Sequence, residues 1–301
     1  MNAKLSIGLP VYNEVNYVEK TLDSILSQSF KFYELVIVDN NSDDGTFELV
    51  KKYSEKDKRI KLFRNEKNLG LVENYNKVFN LSTGDYFSWA GAHDLYHENY
   101  LQSLINKFQK NSKISLIFSN VEKIDKEDKV LDKKKNTGFK LKKGKILRNL
   151  YMPFLIKGSG DMVCGIFKSK DLRKTTLFSK NVLNPDYLLI TQISNYGGID
   201  KIEDPLRKRR YFREDEVEFI KWSDKYITFK ARYIRNNGNV GYLLKNFPTL
   251  IMGLNIFKVI YLRNRIYNPY SLFIGVYSSL VFLFKHRSSF LLDIFQFLKF
   301  R

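Results

Sequence analysis

Apolar positions along the first 122 residues follow two alternating periods. Short β-rich runs, "KLSIGLPVY" (4–12), "ELVIVD" (34–39), "IKLFR" (60–64), "DYFSWAG" (85–91) and "ISLIFSNV" (114–121), read as strands. Helical patterns stand between them: Val18, Leu22, Ile25 and Leu26 keep i, i+4, i+7, i+8 spacing. Similar patterns predict helices over about 70–81 and about 98–110. Strand and helix repeated in this way imply a parallel sheet with helices on both faces. Such sheets bind ligands beyond the carboxyl ends of their strands, near the point where strand order reverses. The polar residues there are Asn13 and Glu14, Asp39 to Asp44, Asn65 and Asn68, and His93 and Asp94.

Beyond residue 122 the periods weaken. "EKIDKEDKVLDKKKNTGFKLKKGK" (122–145) carries mixed charge and little apolar periodicity, and reads as a solvated excursion or hairpin between two halves of one domain. "MVCGIFKSKDL" (162–172) then reads as a strand entering a helix. "NPDYLLITQISNYG" (184–197) reads as a helix with Asp186 in its first turn, and "PLRKRRYF" (205–212) as a cationic strand or loop.

Composition locates the charge. The chain has 51 Lys and Arg against 32 Asp and Glu, a formal +19. After Asp224 there are twelve Lys or Arg and one acid, Asp293, so the C-terminal quarter carries +11 of it. There the basic residues interrupt long apolar and aromatic runs such as "YSLFIGVYSSLVFLFKHR". The continuously apolar part, about fifteen residues, would rise about 22 Å as a helix against a hydrocarbon core of about 30 Å. The tail is therefore expected to lie on an anionic membrane surface through residues 240–301; the alternatives are a helical appendage packed on the preceding domain or on another subunit as an oligomerisation region, and, least expected, a membrane span. A nucleic-acid partner is not expected, because no nucleic-acid motif accompanies the basic residues. The single cysteine, Cys164, and the absence of a charged-then-apolar leader after Met1 predict a reducing, cytoplasmic setting, peripheral on the inner face of the membrane.

Two strand ends offer carboxylates and amides together, "LPVYNE" (9–14) and "VIVDNNSDDGT" (36–46), and such groups can bind nucleoside hydroxyls and ring edges. No G-x-G-x-x-G or G-x-x-x-x-G-K-[ST] loop follows the first strand, which argues against a dinucleotide site or a P-loop. With "NEKNLGLVENYN", "GDYFSWAGAHDLYHENYL", "CGIFKSKDL" and "NPDYLLITQISNYGGIDKIEDPLRKRRYF", these stretches resemble, in order, the motifs of family 2 glycosyltransferases over about residues 3–215.

The resemblance implies an α/β chain of the GT-A type, with a Rossmann-like, mostly parallel central sheet and helices on both faces. A nucleotide-sugar half would span about 1–122 and an acceptor half about 145–215, with a helical, basic-aromatic region over 216–301. It implies inverting transfer of a sugar from a nucleoside-diphosphate donor, expected to be UDP-linked, to a glycan or lipid-linked acceptor in bacterial surface polysaccharide synthesis. Pro10, Tyr12, Asn13 and Glu14 would line the nucleotide pocket. Asp39 would accept from the base or ribose, Asn40 and Asp44 would support the loop, and Asn68 and Asn76 would shape the donor pocket. Asp186 would be the catalytic base, and Arg209 or Arg210 would hold diphosphate oxygens.

The chain departs from the family pattern at two places. Pro185 stands before Asp186 where the family more often has Glu. Gly91 and His93 stand where the two aspartates of the metal-binding D-x-D stand, with Asp94 just after them. The resemblance therefore implies a divalent cation, Mn²⁺ or Mg²⁺, at His93 and Asp94, in a site poor in carboxylates and weak or dispensable. His93 and His97 do not form a zinc H-E-x-x-H pair, since Asp94 takes the second place and a strand ends there. A non-catalytic binding or assembly subunit with the same scaffold is the alternative reading.

Overall fold

The computed structural model describes residues 4–132, 137–152, 155, 158–182, 184–211, 248–261 and 269–299. In "LSIGLPV" the apolar Leu5, Ile7, Leu9 and Val11 alternate with smaller residues, and the run forms β1 (Leu5–Val11), buried along its whole length. β2 (Tyr33–Asp39), β3 (Ile60–Arg64) and β4 (Tyr86–Trp89) join it in the order β3-β2-β1-β4, every pair parallel. Helices α1 (Val18–Leu26), α2 (Thr46–Lys56) and α3 (Leu71–Asn80) make the crossovers. The chain winds outward from β1 to β3, then returns past β1 to β4. Strand order therefore reverses between β1 and β4, and their carboxyl ends border the crevice.

The sheet continues through β5 (Leu95–Tyr96), β6 (Ile114–Ile124), β8 (Ile166–Lys168) and β9 (Gly198–Arg210) in the order β4-β8-β6-β9-β5. β8 runs antiparallel to both neighbours, β6 and β9 are parallel, and β5 is antiparallel to β9. The expected excursion after residue 122 begins as a hairpin, with β7 (Val130–Asp132) returning along β6. Residues 205–210 of "PLRKRRYF" are the end of β9 rather than a loop, and β5 lies against them with Tyr96 opposite Arg207. That pairing carries the chain after β4 across the crevice to the cationic strand.

Helices cover both faces of the sheet, as expected. One apolar cluster joins Leu5, Ile7, Leu9 and Val11 to α1, α2 and α4 (Tyr100–Gln109). The other joins Phe87, Trp89, Phe118 and Phe167 to α3 and to α8 (Pro185–Ser194). Gly8 permits the second cluster to approach β1: a Cβ there would lie 2.6 Å from the Phe87 ring and 2.8 Å from Val78. Short helices α5 (Lys145–Tyr151), α6 (Ser159–Met162) and α7 (Ser169–Leu172) complete this half.

Three further helices, α9 (Pro248–Tyr261), α10 (Pro269–Lys285) and α11 (Arg287–Lys299), follow. Their Met252, Ile256, Val259, Ile274 and Phe282 join the cluster around α8, with Phe282 stacked on Tyr187 at 6.0 Å. Ser278 donates to the carbonyl of Asn149 in α5, and buried Asp293 accepts from the N–H of Thr249. No helix among the described residues is long and apolar enough to cross a membrane. The expected domain boundary near 215 and the start of the membrane segment at 240 lie outside the described residues.

Candidate active site

The loops after β1 and β2 are zipped together by their own polar residues. The Asn13 N–H donates to Ser42 Oγ at 3.0 Å, and its side chain exchanges two hydrogen bonds with Asp43. The Glu14 N–H donates to Thr46 Oγ1 and the Val15 N–H to Asp44 Oδ2, while Asp44 Oδ1 accepts from Thr46. Burial alone would raise the Asp44 carboxyl, but these hydrogen bonds outweigh it and hold the carboxyl below its ordinary value. Both loops turn on an asparagine in the left-handed region, Asn13 at φ 53° and Asn41 at φ 65°. Asparagine tolerates that conformation better than other side chains with a Cβ. Asp44 thus supports the loop, while Tyr12 projects into solvent beside it and Pro10 is a buried β1 residue opposite Val38.

Asp39 ends β2 with 0% exposure. Its Oδ2 accepts from the Ser42 N–H at 3.1 Å and lies 3.3 Å from Arg64 Nε; its Oδ1 is buried with no hydrogen-bond partner. Buried carboxylate oxygens are nearly always satisfied, so this one is an acceptor awaiting a donor. Beside it Asn40 donates to Asn68 Oδ1 and accepts from Asn65 Nδ2 and the Leu69 N–H. Asn74 donates to the carbonyls of Val11 and Val38, tying the ends of β1 and β2 together. Asn76, two residues on, is turned elsewhere: its amide exchanges hydrogen bonds with the Phe178 backbone. That assignment needs correcting, because the amide clamps the loop at Phe178 while Asn74 reaches the strand ends.

Across the crevice stands a network of charges. Asp94, 3% exposed, accepts from Arg207 Nη1 at 2.6 Å through Oδ2 and from the Arg210 N–H at 3.2 Å through Oδ1. The other end of Arg207 donates to Asp161 Oδ1 at 3.1 Å and to its carbonyl. Arg209 Nη1 donates to the same Oδ1 at 3.0 Å, and its side chain remains 35% exposed. Arg210 is buried: it donates to the carbonyls of His93 and Asp125, pairs with Asp128 and lies over the Tyr17 ring. Arg210 is thus a fastener of β9 to the β4 and β6 loops, which corrects its expected place on the diphosphate.

Asp186 opens α8, preceded by Pro185 at the first helical position, where proline is favoured. Ser159 Oγ donates to its Oδ2 at 2.8 Å. Burial pushes the Asp186 carboxyl above its ordinary value, against that hydrogen bond and the Arg209 charge. Gly160 keeps the space in front of it open: a Cβ there would lie 3.3 Å from Asp186 Oδ2 and 3.9 Å from Arg209 Nη1. A carboxylate and a guanidinium therefore flank one point in the crevice.

His93 Nδ1 lies 3.0 Å from Glu14 Oε1. Burial pulls the imidazole pKa down, but Glu14 and Asp94 outweigh it and the net shift is upward. As ligands for a divalent cation His93 and Asp94 fit poorly: Mg²⁺ takes oxygen ligands, and for Mn²⁺, which accepts imidazole, the pair offers one nitrogen side chain and one carboxylate. The one carboxylate in the pair is committed through both oxygens, one of them to a buried guanidinium. Among the described residues no three His, Cys, Asp or Glu form a metal-binding group. Arg207, Asp161 and Ser159 were not singled out from the sequence, although strand alternation in "LRKRR" puts Arg207 and Arg209 on one face.

Comparisons with known proteins bear on the family and the fold. An uncharacterized glycosyltransferase of Methanocaldococcus jannaschii is 31% identical over 214 residues, 70% of this chain and 72% of its own. The Staphylococcus aureus TarS fragment solved with UDP superposes with a TM-score of 0.59 at 16% identity, over 93% of this chain and 89% of that fragment. The match spans 43% of the longer TarS chain. A mannosyltransferase of Pyrobaculum calidifontis, solved with GDP-Man and Mn²⁺, gives 0.53 at 16% identity, over 92% of this chain and 74% of that one. At these identities the solved structures establish the GT-A fold alone. The family model described as glycosyl transferase family 2 matches residues 6–171, more than half of the chain, and the chain belongs to that family.

Proposed function

We propose that this glycosyltransferase is an inverting enzyme that moves a sugar from a nucleoside-diphosphate donor, UDP-linked in our reading, to a hydroxyl of a glycan or lipid-linked acceptor. The observation that carries the proposal is the pairing of Asp186 and Arg209 across the space kept open by Gly160. Asp186 takes the proton of the acceptor hydroxyl as its oxygen attacks the anomeric carbon from the face opposite the leaving group. A carboxylate whose pKa burial has raised is a better base near neutral pH. The bond to the diphosphate breaks with its electron pair on the leaving oxygen, and Arg209 stabilises the charge that develops there. Asp39 Oδ1 receives a base or ribose donor, while Asn13 and Glu14 fix the loop around it.

The acceptor is proposed to be presented at the inner face of a bacterial cytoplasmic membrane, in surface-polysaccharide assembly. On α10, Phe273, Val276, Leu280 and Phe284 form one stripe at helical spacing, with Phe284 69% exposed and Lys285 and Arg287 exposed at its end. Exposed aromatics beside cations suit an anionic interface. The purified chain should co-sediment with phosphatidylglycerol vesicles, and replacing Phe273 and Phe284 with serine should abolish this; unchanged binding refutes the membrane reading.

Incubation with UDP- and GDP-sugars, followed by nucleotide release, tests the enzyme reading. Asp186→Asn should lower turnover about 10²- to 10⁴-fold while leaving nucleotide affinity in place. A folded protein that neither binds nor turns over any of these donors would instead be a non-catalytic scaffold.

A further inference from the structure

We infer that this enzyme holds its donor diphosphate with Arg209, braced by the Arg207–Asp161–Asp94 chain of ion pairs, and needs no divalent cation there. The inference rests on the donor-site reading above and deepens it. Three observations carry it. Asp94, the surviving acid of the motif, is buried with both oxygens engaged, one by Arg207 at 2.6 Å and one by the Arg210 N–H at 3.2 Å. A cation on this carboxylate would share Oδ2 with the buried Arg207 guanidinium, setting a second positive charge beside it in a buried site, or would have to displace that guanidinium, and either is costly.

Next, the place where a further carboxylate would be needed has no room for one. A Cβ on Gly91 would lie 2.9 Å from Asp94 Oδ2 and 3.1 Å from its Cγ. Glycine there is what permits Asp94 to turn toward Arg207. The third observation is the geometry of the cationic strand. Arg207 and Arg209 share one face of β9 and meet at Asp161 Oδ1, at 3.1 and 3.0 Å. Arg207 is 2% exposed and spans Asp94 and Asp161, so it is a positioning residue. Arg209 reaches the crevice beside Asp186 and keeps further N–H groups for an anion. A planar guanidinium suits phosphate oxygens, which it binds through two parallel hydrogen bonds. The sequence thus lacks a D-x-D and has in its place an acid that fixes an arginine.

Calorimetric titration of the full chain with UDP, UMP, GDP and GMP, in EDTA and then in millimolar Mn²⁺ or Mg²⁺, tests this without any turnover. In EDTA the cognate diphosphate should bind about ten- to a hundredfold more tightly than its monophosphate. Either cation should change that affinity less than about threefold, a shift under about half of a tenfold step. Arg209→Gln, checked for folding by circular dichroism, should remove the diphosphate advantage and leave monophosphate affinity unchanged, and Arg209→Lys should restore part of it. A diphosphate advantage that appears only with a cation overturns the inference, as does one that survives in Arg209→Gln. A folded chain that binds none of the four nucleotides in either buffer overturns the donor-site reading itself.

Discussion

Asp39 ends β2 and Asp94 follows β4 of the same sheet, and the two are almost equally buried, at 0% and 3% exposure, yet their surroundings differ. Asp39 Oδ1 has no partner, whereas Asp94 is satisfied through both oxygens by β9. Burial is thus not what makes an aspartate a ligand-binding group. An oxygen left without a donor is. Asp39 is held by its own loop, through the Ser42 N–H three residues away, and that short closure leaves its other oxygen without a hydrogen-bond partner, as its proposed nucleotide role requires. Asp94 is held by residues 113 and 116 positions distant, which spend both of its oxygens on the fold.

Substitutions should separate the two. Asp94→Ala has the largest expected effect, because it leaves Arg207 buried beside one carboxylate instead of two. Stability should fall by about 3–5 kcal/mol, read as a lowered denaturant midpoint, and a change under about 1 kcal/mol would refute the structural role. Asp39→Asn should weaken nucleotide binding about ten- to a hundredfold, with a smaller loss of stability than Asp94→Ala. The reverse order of stabilities would break the comparison.

The smallest effect concerns a third aspartate. In the proposed role of base Asp186 must be ionised, so turnover should fall as pH drops through its pKa. Ser159 donates to the carboxylate and lowers that pKa against the larger, raising effect of burial. Removing the hydroxyl in Ser159→Ala should therefore move the acid limb of the pH–rate profile to higher pH. A shift to lower pH would contradict the assignment.

Local information carried much of this arrangement. The periods of "LSIGLPV", "YELVIVD" and the Leu71–Asn80 helix depend on which face each residue buries, so the parallel core and its strand ends were legible. Asp39 and Asp44 were legible for the same reason, since their partners lie within the adjoining loops. Arg207 was not, because its partners come from distant segments, Asp94 through the β5–β9 pairing and Asp161 from α6. Arg209 and Arg210 are neighbours in sequence, but the two-residue period of a strand pairs Arg209 with Arg207 instead. Asn74 and Asn76 differ in a similar way. Both lie on α3, but a turn of 100° per residue sends one amide to the strand ends and the other to Phe178.

A crystal structure of the chain with its cognate nucleoside diphosphate, grown in EDTA, tests the central claim most directly. The account predicts a base or ribose donor on Asp39 Oδ1 and diphosphate oxygens within hydrogen-bond distance of Arg209, with the Arg207–Asp94 pair intact. Nucleotide density away from Asp39, or an Asp94 released from Arg207, would contradict it.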